Sequence, residues 1–274
     1  MRIARLALPA LLSTVAFWAA PAAAATLVPH RAVYDLALDE ASDRSGINGI
    51  SGRMVYEFNG SACDGYTVTF RFVTRIDTDE VSRLTDQQTT TFEEGSGDSF
   101  TFVTRSFIDQ SLQKELKGTA RLSPSATLVS LEKPANEEMT LEETQFPTQH
   151  LLELLQKAQQ GETFYETSLF DGSEDGDKVM TTTVVIGRQS TLAADDPEHD
   201  LLAAVGEASY WPVNIAYFDL QNGDATGEGM PTYRIAFKLN ETGVTHDLVM
   251  DYGDFAIAGQ LVELEAFDRV EDCR

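Results

Sequence analysis

Two cysteines, Cys63 and Cys273, carry the most definite chemistry in this sequence. In an exported protein, two thiols can be oxidised to a disulfide that persists in the oxidising compartment. A bridge between them would tie an early part of the chain to its end, and closing so long a loop would stabilise the fold by roughly 5 kcal/mol. Two buried free thiols and an intermolecular bridge are the alternatives. The cysteines therefore predict a structural role.

The acidic segment 171–178 is a second candidate for chemistry, because it could bind Ca²⁺. Its oxygen-bearing side chains fall at alternate positions, and Gly176 stands where a calcium loop turns sharply. Thr182 replaces the glutamate expected at the twelfth position, and the flanks alternate like strands, so an EF-hand is excluded. We predict a solvated acidic turn, with weak Ca²⁺ binding as the alternative.

Signals for catalysis are weak. The four histidines share no metal-binding spacing, so we predict no metal and no cofactor, and we interpret His150 and His199 as surface or capping residues. No Gly-x-Ser-x-Gly motif is present. With 44 acidic residues, a carboxylate pair of the kind that cleaves glycosides could form by chance. We expect a protein that is not an enzyme, with a periplasmic hydrolase of envelope polymers as the alternative.

Charge and the N-terminus indicate where the protein works. A formal net charge of −24 disfavours nucleic acid and anionic lipid surfaces as partners. Residues 1–25 resemble a secretory signal peptide, with Arg2 and Arg5, then an apolar run, then Ala23 to Ala25. No later stretch approaches the ~20 apolar residues of a membrane-spanning helix. We expect a periplasmic monomer without a transmembrane segment, in which residues 26–274 form one domain.

Most of the remaining chain alternates between apolar and polar residues, which is typical of half-buried antiparallel strands. Residues 66–77 are the clearest case: Phe70, Phe72 and Ile76 point to one side, and Arg71 and Arg75 point to the other. Gly-Asp and Asn-Gly turns separate about a dozen such segments. Short strands at this spacing predict an all-β sandwich, barrel or extended meander. An outer-membrane barrel is disfavoured because many of these strands carry charge.

One amphipathic helix is predicted over residues 149–160, with Thr148 as N-cap and Gly161 at its end. A weaker helix is predicted at 197–204, and residues 134–146 are interpreted as a loop. The helix has to pack on the sheet, because twelve residues do not hold a helix alone in water. Its apolar stripe and two strand aromatics either fill a core or line a cleft for a lipid, acyl chain or peptide. The residues of this candidate cleft are Leu151, Leu152, Leu154, Leu155, Phe70 and Phe72.

Six runs of sequence carry a family resemblance: 30–36 (HRAVYDL), 52–58 (GRMVYEF), 63–66 (CDGY), 84–93 (LTDQQTTTFE), 169–173 (LFDGS) and 251–255 (DYGDF). They resemble the EipB family of periplasmic envelope-integrity proteins. The resemblance implies a spiral-like, incomplete barrel of antiparallel strands with a helix on the sheet, similar in architecture to envelope lipoprotein carriers. It also implies a disulfide that maps onto Cys63 and Cys273, and it supplies no catalytic residues.

Together these observations predict an all-β protein built on one highly curved antiparallel meander with a single amphipathic helix packed on it. We expect a non-enzymatic periplasmic protein that maintains the cell envelope. It would do so by binding an apolar or peptide ligand, or by docking an envelope protein partner.

Overall fold

The computed structural model describes residues 27–173, 175–206, 209–219 and 229–268. The predicted signal peptide 1–25 and Cys273 lie outside these residues. The described ranges form two helices, α1 (Pro147–Gln160) and α2 (His199–Leu202). Their strands are β1 (His30–Ala41), β2 (Ile47–Ser61), β3 (Gly65–Thr78), β4 (Ser82–Glu93), β5 (Ser99–Ile108), β6 (Ser111–Ser123), β7 (Ala126–Lys133), β8 (Glu137–Leu141), β9 (Phe164–Leu169), β10 (Met180–Ile186), β11 (Ser190–Thr191), β12 (Ser209–Phe218), β13 (Tyr233–Asn240), β14 (Thr245–Asp251) and β15 (Phe255–Ala266).

All of these strands belong to one antiparallel sheet. From β8 back to β1 each strand pairs with its neighbour in sequence, and the path continues through β15, β14, β13, β12 and β10 to β9, with β11 beside β12. The first and last strands pair at the centre of this path, where His30 lies opposite Ala266. The sheet ends at β8 and β9 without closing on itself. The predicted all-β fold on a curved, incomplete barrel is confirmed.

The alternating pattern of residues 66–77 forms β3 as predicted. Phe70 lies opposite Tyr56 of β2, and Phe72 lies opposite Met54, so one apolar face is shared by both strands. Gly52 lies in β2 where the strands approach closely: a Cβ atom there would stand 2.1 Å from the carbonyl oxygen of Val73. Only glycine fits at this point of the pairing.

The strand β8 lies inside residues 134–146, where the sequence predicted a loop, so that prediction is wrong. As an edge strand β8 pairs only with β7, and Met139 lies opposite Val129. Most of its other side chains are exposed. A short edge strand needs few apolar residues, and its alternation is therefore too weak to be found in the sequence alone.

The helix α1 begins two residues before its predicted start. Its N-cap is Phe146, and Thr148 lies within the first turn, so the predicted capping role of Thr148 is wrong. The free backbone N–H groups of Thr148 and Gln149 instead donate to the carboxylate of Glu93 on β4, at 2.7 and 3.0 Å. The prediction that the helix ends at Gly161 is confirmed, since Gly161 takes the left-handed conformation at φ 78°.

Two apolar cores lie on the concave side of the sheet. The larger one joins α1 and α2 to strands β1–β3, β9, β10 and β12–β15. The smaller one packs the rings of Phe100, Phe102, Phe146 and Phe170 together, with centroids 5.2 to 6.4 Å apart. Gly172 touches the Phe102 ring from the loop after β9. The same face of β3, β4 and β5, which adjoins both cores, positions the candidate site.

Candidate ligand cleft

We call the side of the sheet that carries the two cores its inner face. One residue from each of the first five strands forms a row across this face, each lying opposite the next. The row is Tyr34, Met54, Phe72, Gln87 and Ser106. Residues directly opposite in an antiparallel pair share one face of the sheet. Tyr34 and Met54 are buried, Phe72 and Ser106 are partly exposed, and Gln87 is exposed. Along this row the inner face is therefore accessible to solvent at β3, β4 and β5.

The inner face of β3, β4 and β5 carries a row of hydroxyl groups, which we call the threonine stripe: the buried Thr74 and the partly exposed Thr85, Thr89 and Thr104. The hydroxyls of Thr74 and Thr85 are 2.6 Å apart, and those of Thr89 and Thr104 are 3.0 Å apart. Hydrogen-bonded hydroxyl pairs leave lone pairs free for further bonds. The stripe is therefore a polar surface beside the partly buried rings of Phe70 and Phe72, which stack with centroids 6.1 Å apart.

A cavity of about 590 Å³ lies at the end of the inner face nearest the β3–β4 and β5–β6 turns. Its volume falls within the range of small-molecule sites. The cavity continues the surface described above, because Thr85 belongs to the threonine stripe and Ile76 lies on the same face of β3 as Phe72. Its lining residues are Ile76, Thr78, Arg83, Thr85, Ile108, Asp109, Ser111 and Gln113.

An ion pair stands in the lining of this cavity. Arg83 Nη1 donates to Asp109 Oδ2 at 2.7 Å, and the backbone N–H of Leu84 donates to Asp109 Oδ1 at 3.0 Å. These two contacts hold the pKa of Asp109 below its ordinary value, the backbone hydrogen bond contributing most. Asp109 and Gln110 both have positive φ, at 47° and 67°, as the tight turn between β5 and β6 requires. The turn, the aspartate and the arginine are therefore fixed relative to one another.

The six residues of the predicted cleft all belong to the larger apolar core, but none of them lines the cavity. Leu154 and Leu155 are buried at 1% and 0% exposure. A ligand could contact these two side chains only after α1 had moved. Leu151, Leu152, Phe70 and Phe72 are partly buried and pack against the same core. A ligand cleft that includes these residues stays a prediction.

The helix α1 and the cavity lie at opposite ends of β4. Glu93, which caps α1, is the last residue of β4, whereas Arg83 is its second residue. Glu93 is ten positions further along the strand than Arg83, which corresponds to roughly 33 Å. Burial raises the pKa of Glu93, although the N–H groups of Thr148 and Gln149 oppose this shift. Glu93 therefore fixes α1 at one end of β4, away from the cavity at the other end of this strand.

His150 is buried, so its interpretation as a surface or capping residue is wrong. It lies in the first turns of α1 with its Nε2 atom 3.4 Å from the hydroxyl of Thr182 on β10. Burial lowers its pKa to about 4. The reason is that this turn of α1 packs on the sheet, a contact that the position of His150 in the sequence does not indicate. His199 lies 3.2 Å from the carboxylate of Asp200 on a half-exposed helix, as its acidic surroundings predicted.

Sequence reasoning missed a buried pair formed by Glu198 and His246. Glu198 Oε2 lies 2.8 Å from His246 Nδ1, and Glu198 Oε1 accepts the backbone N–H of Leu261 at 2.6 Å. Their side chains are 4% and 0% exposed, and both carboxylate oxygens of Glu198 already have partners. Glu198 lies at the start of α2 and bonds to β15, which makes this pair an anchor for the segment around α2. No sequence signal connects two residues 48 positions apart.

The acidic segment 171–178 forms a turn in which two of the carboxylates have partners. Asp171 Oδ1 accepts the backbone N–H of Ser173 at 2.8 Å, and Asp175 Oδ1 lies 2.7 Å from Lys114 Nζ. Glu174 lies outside the described residues. Among those that are described, no group of three or more potential ligands could hold a metal ion. Weak Ca²⁺ binding stays a prediction.

The predicted disulfide is described on one side only. The described residues contain no free cysteine, and Cys63 lies in the exposed turn between β2 and β3. The backbone N–H of Cys63 donates to the hydroxyl of Ser61 at 3.2 Å. Because Cys273 lies outside the described residues, the pairing of the two cysteines stays a prediction.

The fold and its site define a class of protein: a barrel-like antiparallel sheet that stays open, with a helix fixed at one end and an accessible inner face at the other. A family model described as EipB-like matches residues 21–268. The chain belongs to this EipB-like family. The Cell envelope integrity protein EipB of Brucella abortus (strain 2308) is 52% identical over 275 residues, which cover 98% of this chain and 96% of that protein.

A solved structure shows the same architecture. It is the crystal structure of a beta-barrel-like protein of a domain of unknown function from Brucella abortus, which matches with a TM-score of 0.85 and 53% sequence identity. The match covers 89% of this chain and 100% of that one. Of the helices in the described part of the chain, none has the length and apolar character needed to cross a bilayer.

Proposed function

We propose that this protein helps to maintain the integrity of the bacterial cell envelope from the periplasm, by binding an apolar ligand at the inner face rather than by catalysis. The envelope role is supported by the name of the relative from Brucella abortus, which is 52% identical over nearly its full length. The periplasmic location is supported by the signal-peptide pattern of residues 1–25.

The observation that carries the ligand proposal is the cavity of about 590 Å³ at the end of the inner face, beside the β3–β4 and β5–β6 turns. A core that only stabilised the fold would be filled to the density of a protein interior. Here Ile76 and Ile108 instead face an open space, and Ile108 is 40% exposed. Apolar side chains beside a concave opening, with a few polar groups among them, are typical of small-molecule sites.

The hydrolase alternative finds less support in the same cavity. Cleavage of a glycoside normally needs two carboxyl groups on either side of the bond. Asp109 is the one carboxylate among the lining residues, and it is held by Arg83 and by the N–H of Leu84. The buried Glu198 is held by His246 and the N–H of Leu261, away from solvent. These contacts favour binding over hydrolysis.

The proposal can be tested by filling the cavity without disturbing the core. In a strain that lacks the gene, we expect wild-type protein to restore resistance to detergent and to cell-wall antibiotics. We expect Ile108→Trp to restore it poorly, because an indole at this exposed position would occupy the cavity. Leu112→Trp is the matched control, since Leu112 is 52% exposed in the next strand but does not line the cavity.

Two results would contradict the proposal. Unchanged sensitivity of the deletion strain would remove the envelope role. Full restoration by Ile108→Trp, with a circular dichroism spectrum and melting temperature like those of the control, would remove the cavity from the function. Hydrolysis of isolated envelope polymers by the purified protein would favour the enzymatic alternative.

A further inference from the structure

Arg83 sets the chemical character of the cavity. It lies opposite Ile76 across β3 and β4, so its side chain projects from the inner face beside that apolar residue. It is the single cationic residue in the lining. The chain as a whole carries a formal net charge of −24, and a field of that sign repels anions. An anion could therefore bind here only through a local, well-placed cation.

The guanidinium of Arg83 is placed for such a role. Asp109 takes one of its donors, Nη1, at 2.7 Å, and the side chain of Arg83 is still 58% exposed. A guanidinium carries five N–H donors, so Nε and Nη2 remain for the oxygens of a ligand. Because Asp109 is itself held by the N–H of Leu84, the direction of the guanidinium is fixed before a ligand arrives. Pre-organised donors of this kind match the two oxygens of a carboxylate or the oxygens of a phosphate.

Apolar surface extends from Arg83 through the cavity and then along β3. Ile108 and Ile76 line the cavity beside Arg83, and beyond them Phe72 and Phe70 continue the inner face of β3. The distance along β3 from Ile76 to Phe70 is roughly 20 Å. This arrangement offers one cationic point at the mouth and a long apolar track behind it. The threonine stripe runs beside these residues: Thr74 lies between Ile76 and Phe72 on β3, and the other hydroxyls lie on β4 and β5.

We propose that the cavity binds an amphiphilic anion with a single hydrocarbon chain, its carboxylate or phosphate head on Arg83 and its chain along Ile76 and Ile108 toward Phe72. This assignment rests on the proposed function, since it names the class of ligand that the inner face takes. It differs from a purely apolar ligand in requiring the charge of the head group.

Binding of three probes with the same chain tests the assignment: dodecanoate, dodecyl phosphate and 1-dodecanol, titrated by calorimetry into the delipidated full-length protein. Arg83→Gln should weaken dodecanoate binding by roughly three- to tenfold, as expected for a charged hydrogen bond in a partly exposed site. The affinity of the Arg83→Gln variant for dodecanol should equal that of the wild-type protein. Arg105→Gln is the matched control, because Arg105 lies on the outer face of β5, is 51% exposed and pairs with Glu115 at 2.7 Å.

The two anionic probes distinguish the possible heads. A stronger effect of Arg83→Gln on dodecyl phosphate than on dodecanoate would assign a phosphate head, and the reverse would assign a carboxylate. Raising the salt concentration from 50 to 500 mM should change the affinity of the wild-type protein for both anions, because salt screens their charge interactions, but should leave its affinity for dodecanol unchanged. This measurement needs no variant, so it holds even if Arg83→Gln does not fold.

Equal affinity for dodecanol and dodecanoate, with no effect of Arg83→Gln or of salt, would overturn the anion assignment and leave the proposed apolar ligand intact. An equal loss on Arg105→Gln would overturn it too, because the effect would then come from net charge. If none of the three probes bound, both this assignment and the proposed ligand function would fail.

Discussion

Two regions of the inner face follow the same strand pattern but have different surroundings. On β12 and β13 the inner side chains are apolar and buried, and we call this the sealed region: Trp211, Val213, Ile215, Phe237 and Leu239. In the middle of β4 and on β5 after Phe102 they are polar and partly or fully exposed, and we call this the open region: Thr85, Gln87, Thr89, Thr104 and Ser106. Alternation places a residue on a face of the sheet. Whether that face is covered depends on the identity of the residue and on what packs above it.

The coverage explains the difference. In the sealed region α1 places Leu154, Leu155 and Ala158 into the same core. Beyond β5 the loop after β9 covers the smaller core, with Gly172 against the Phe102 ring. The two covers leave the parts of β4 and β5 around Gln87 and Ser106 between them. Threonine and glutamine suit such a position, because they tolerate both a strand and water.

The largest expected effect separates the two regions by packing. Leu155→Ala should lower the free energy of unfolding by about 2–5 kcal/mol, because Leu155 is 0% exposed and its removal leaves a cavity. Phe72→Ala, at the border of the open region, should cost clearly less, although phenylalanine is larger, because water can fill the space. Urea unfolding followed by circular dichroism measures both. Equal losses would mean that Phe72 is as well packed as Leu155 and that the open region is not open.

The second expected effect is a dependence of stability on pH that comes from His150 on α1, the helix that covers the sealed region. His150 is buried beside Thr182, and its pKa is lowered to about 4, while the ordinary value is 6.5. Between these values the unfolded chain binds the proton and the folded protein does not, so stability is lost as the pH falls from about 6.5 to 4. His150→Gln should therefore lose less stability over this window than the wild type, by up to ~3 kcal/mol.

The measurement compares urea unfolding of the two proteins at pH 7.0, 5.5 and 4.5. His30 is buried too, with its pKa lowered chiefly by burial, but it contributes equally to both proteins. Their difference therefore isolates His150. Parallel losses in wild type and variant would show that His150 is accessible to protons in the folded state, and the helix would then not seal this end of the sheet.

These predictions also show what the sequence could supply. The strands and their faces followed from alternation, as at Phe70 and Phe72, and the end of α1 followed from Gly161. The start of α1 did not follow, because its capping group is the carboxylate of Glu93, which comes from another strand. A contact between residues 55 positions apart has no local signature.

The site shows the same limit. Phe70 and Phe72 were selected because they are aromatic residues on one face, and they do border the accessible surface. Leu154 and Leu155 were selected by the same reasoning and turned out to be buried. Arg83 and Asp109 were not selected, because a charged residue near a turn is usually solvated. Their placement in the cavity depends on the register of β3, β4 and β5, which local patterns do not fix.

The smallest expected effect is the sharpest comparison, because it exchanges the same two residue types between the regions. Val213→Thr puts a hydroxyl into the sealed region, where Val213 is 3% exposed, and should cost about 1–3 kcal/mol for an unpaired buried polar group. Thr89→Val breaks the 3.0 Å contact with Thr104 in the open region and should cost about 0.5–1 kcal/mol, since water can replace the lost partner.

The double change Thr89→Val with Thr104→Val should be nearly neutral, because no hydroxyl is then left without its partner. If Thr89→Val cost as much as Val213→Thr, the threonine stripe would be a buried network rather than a wet surface, and a ligand could not enter along it.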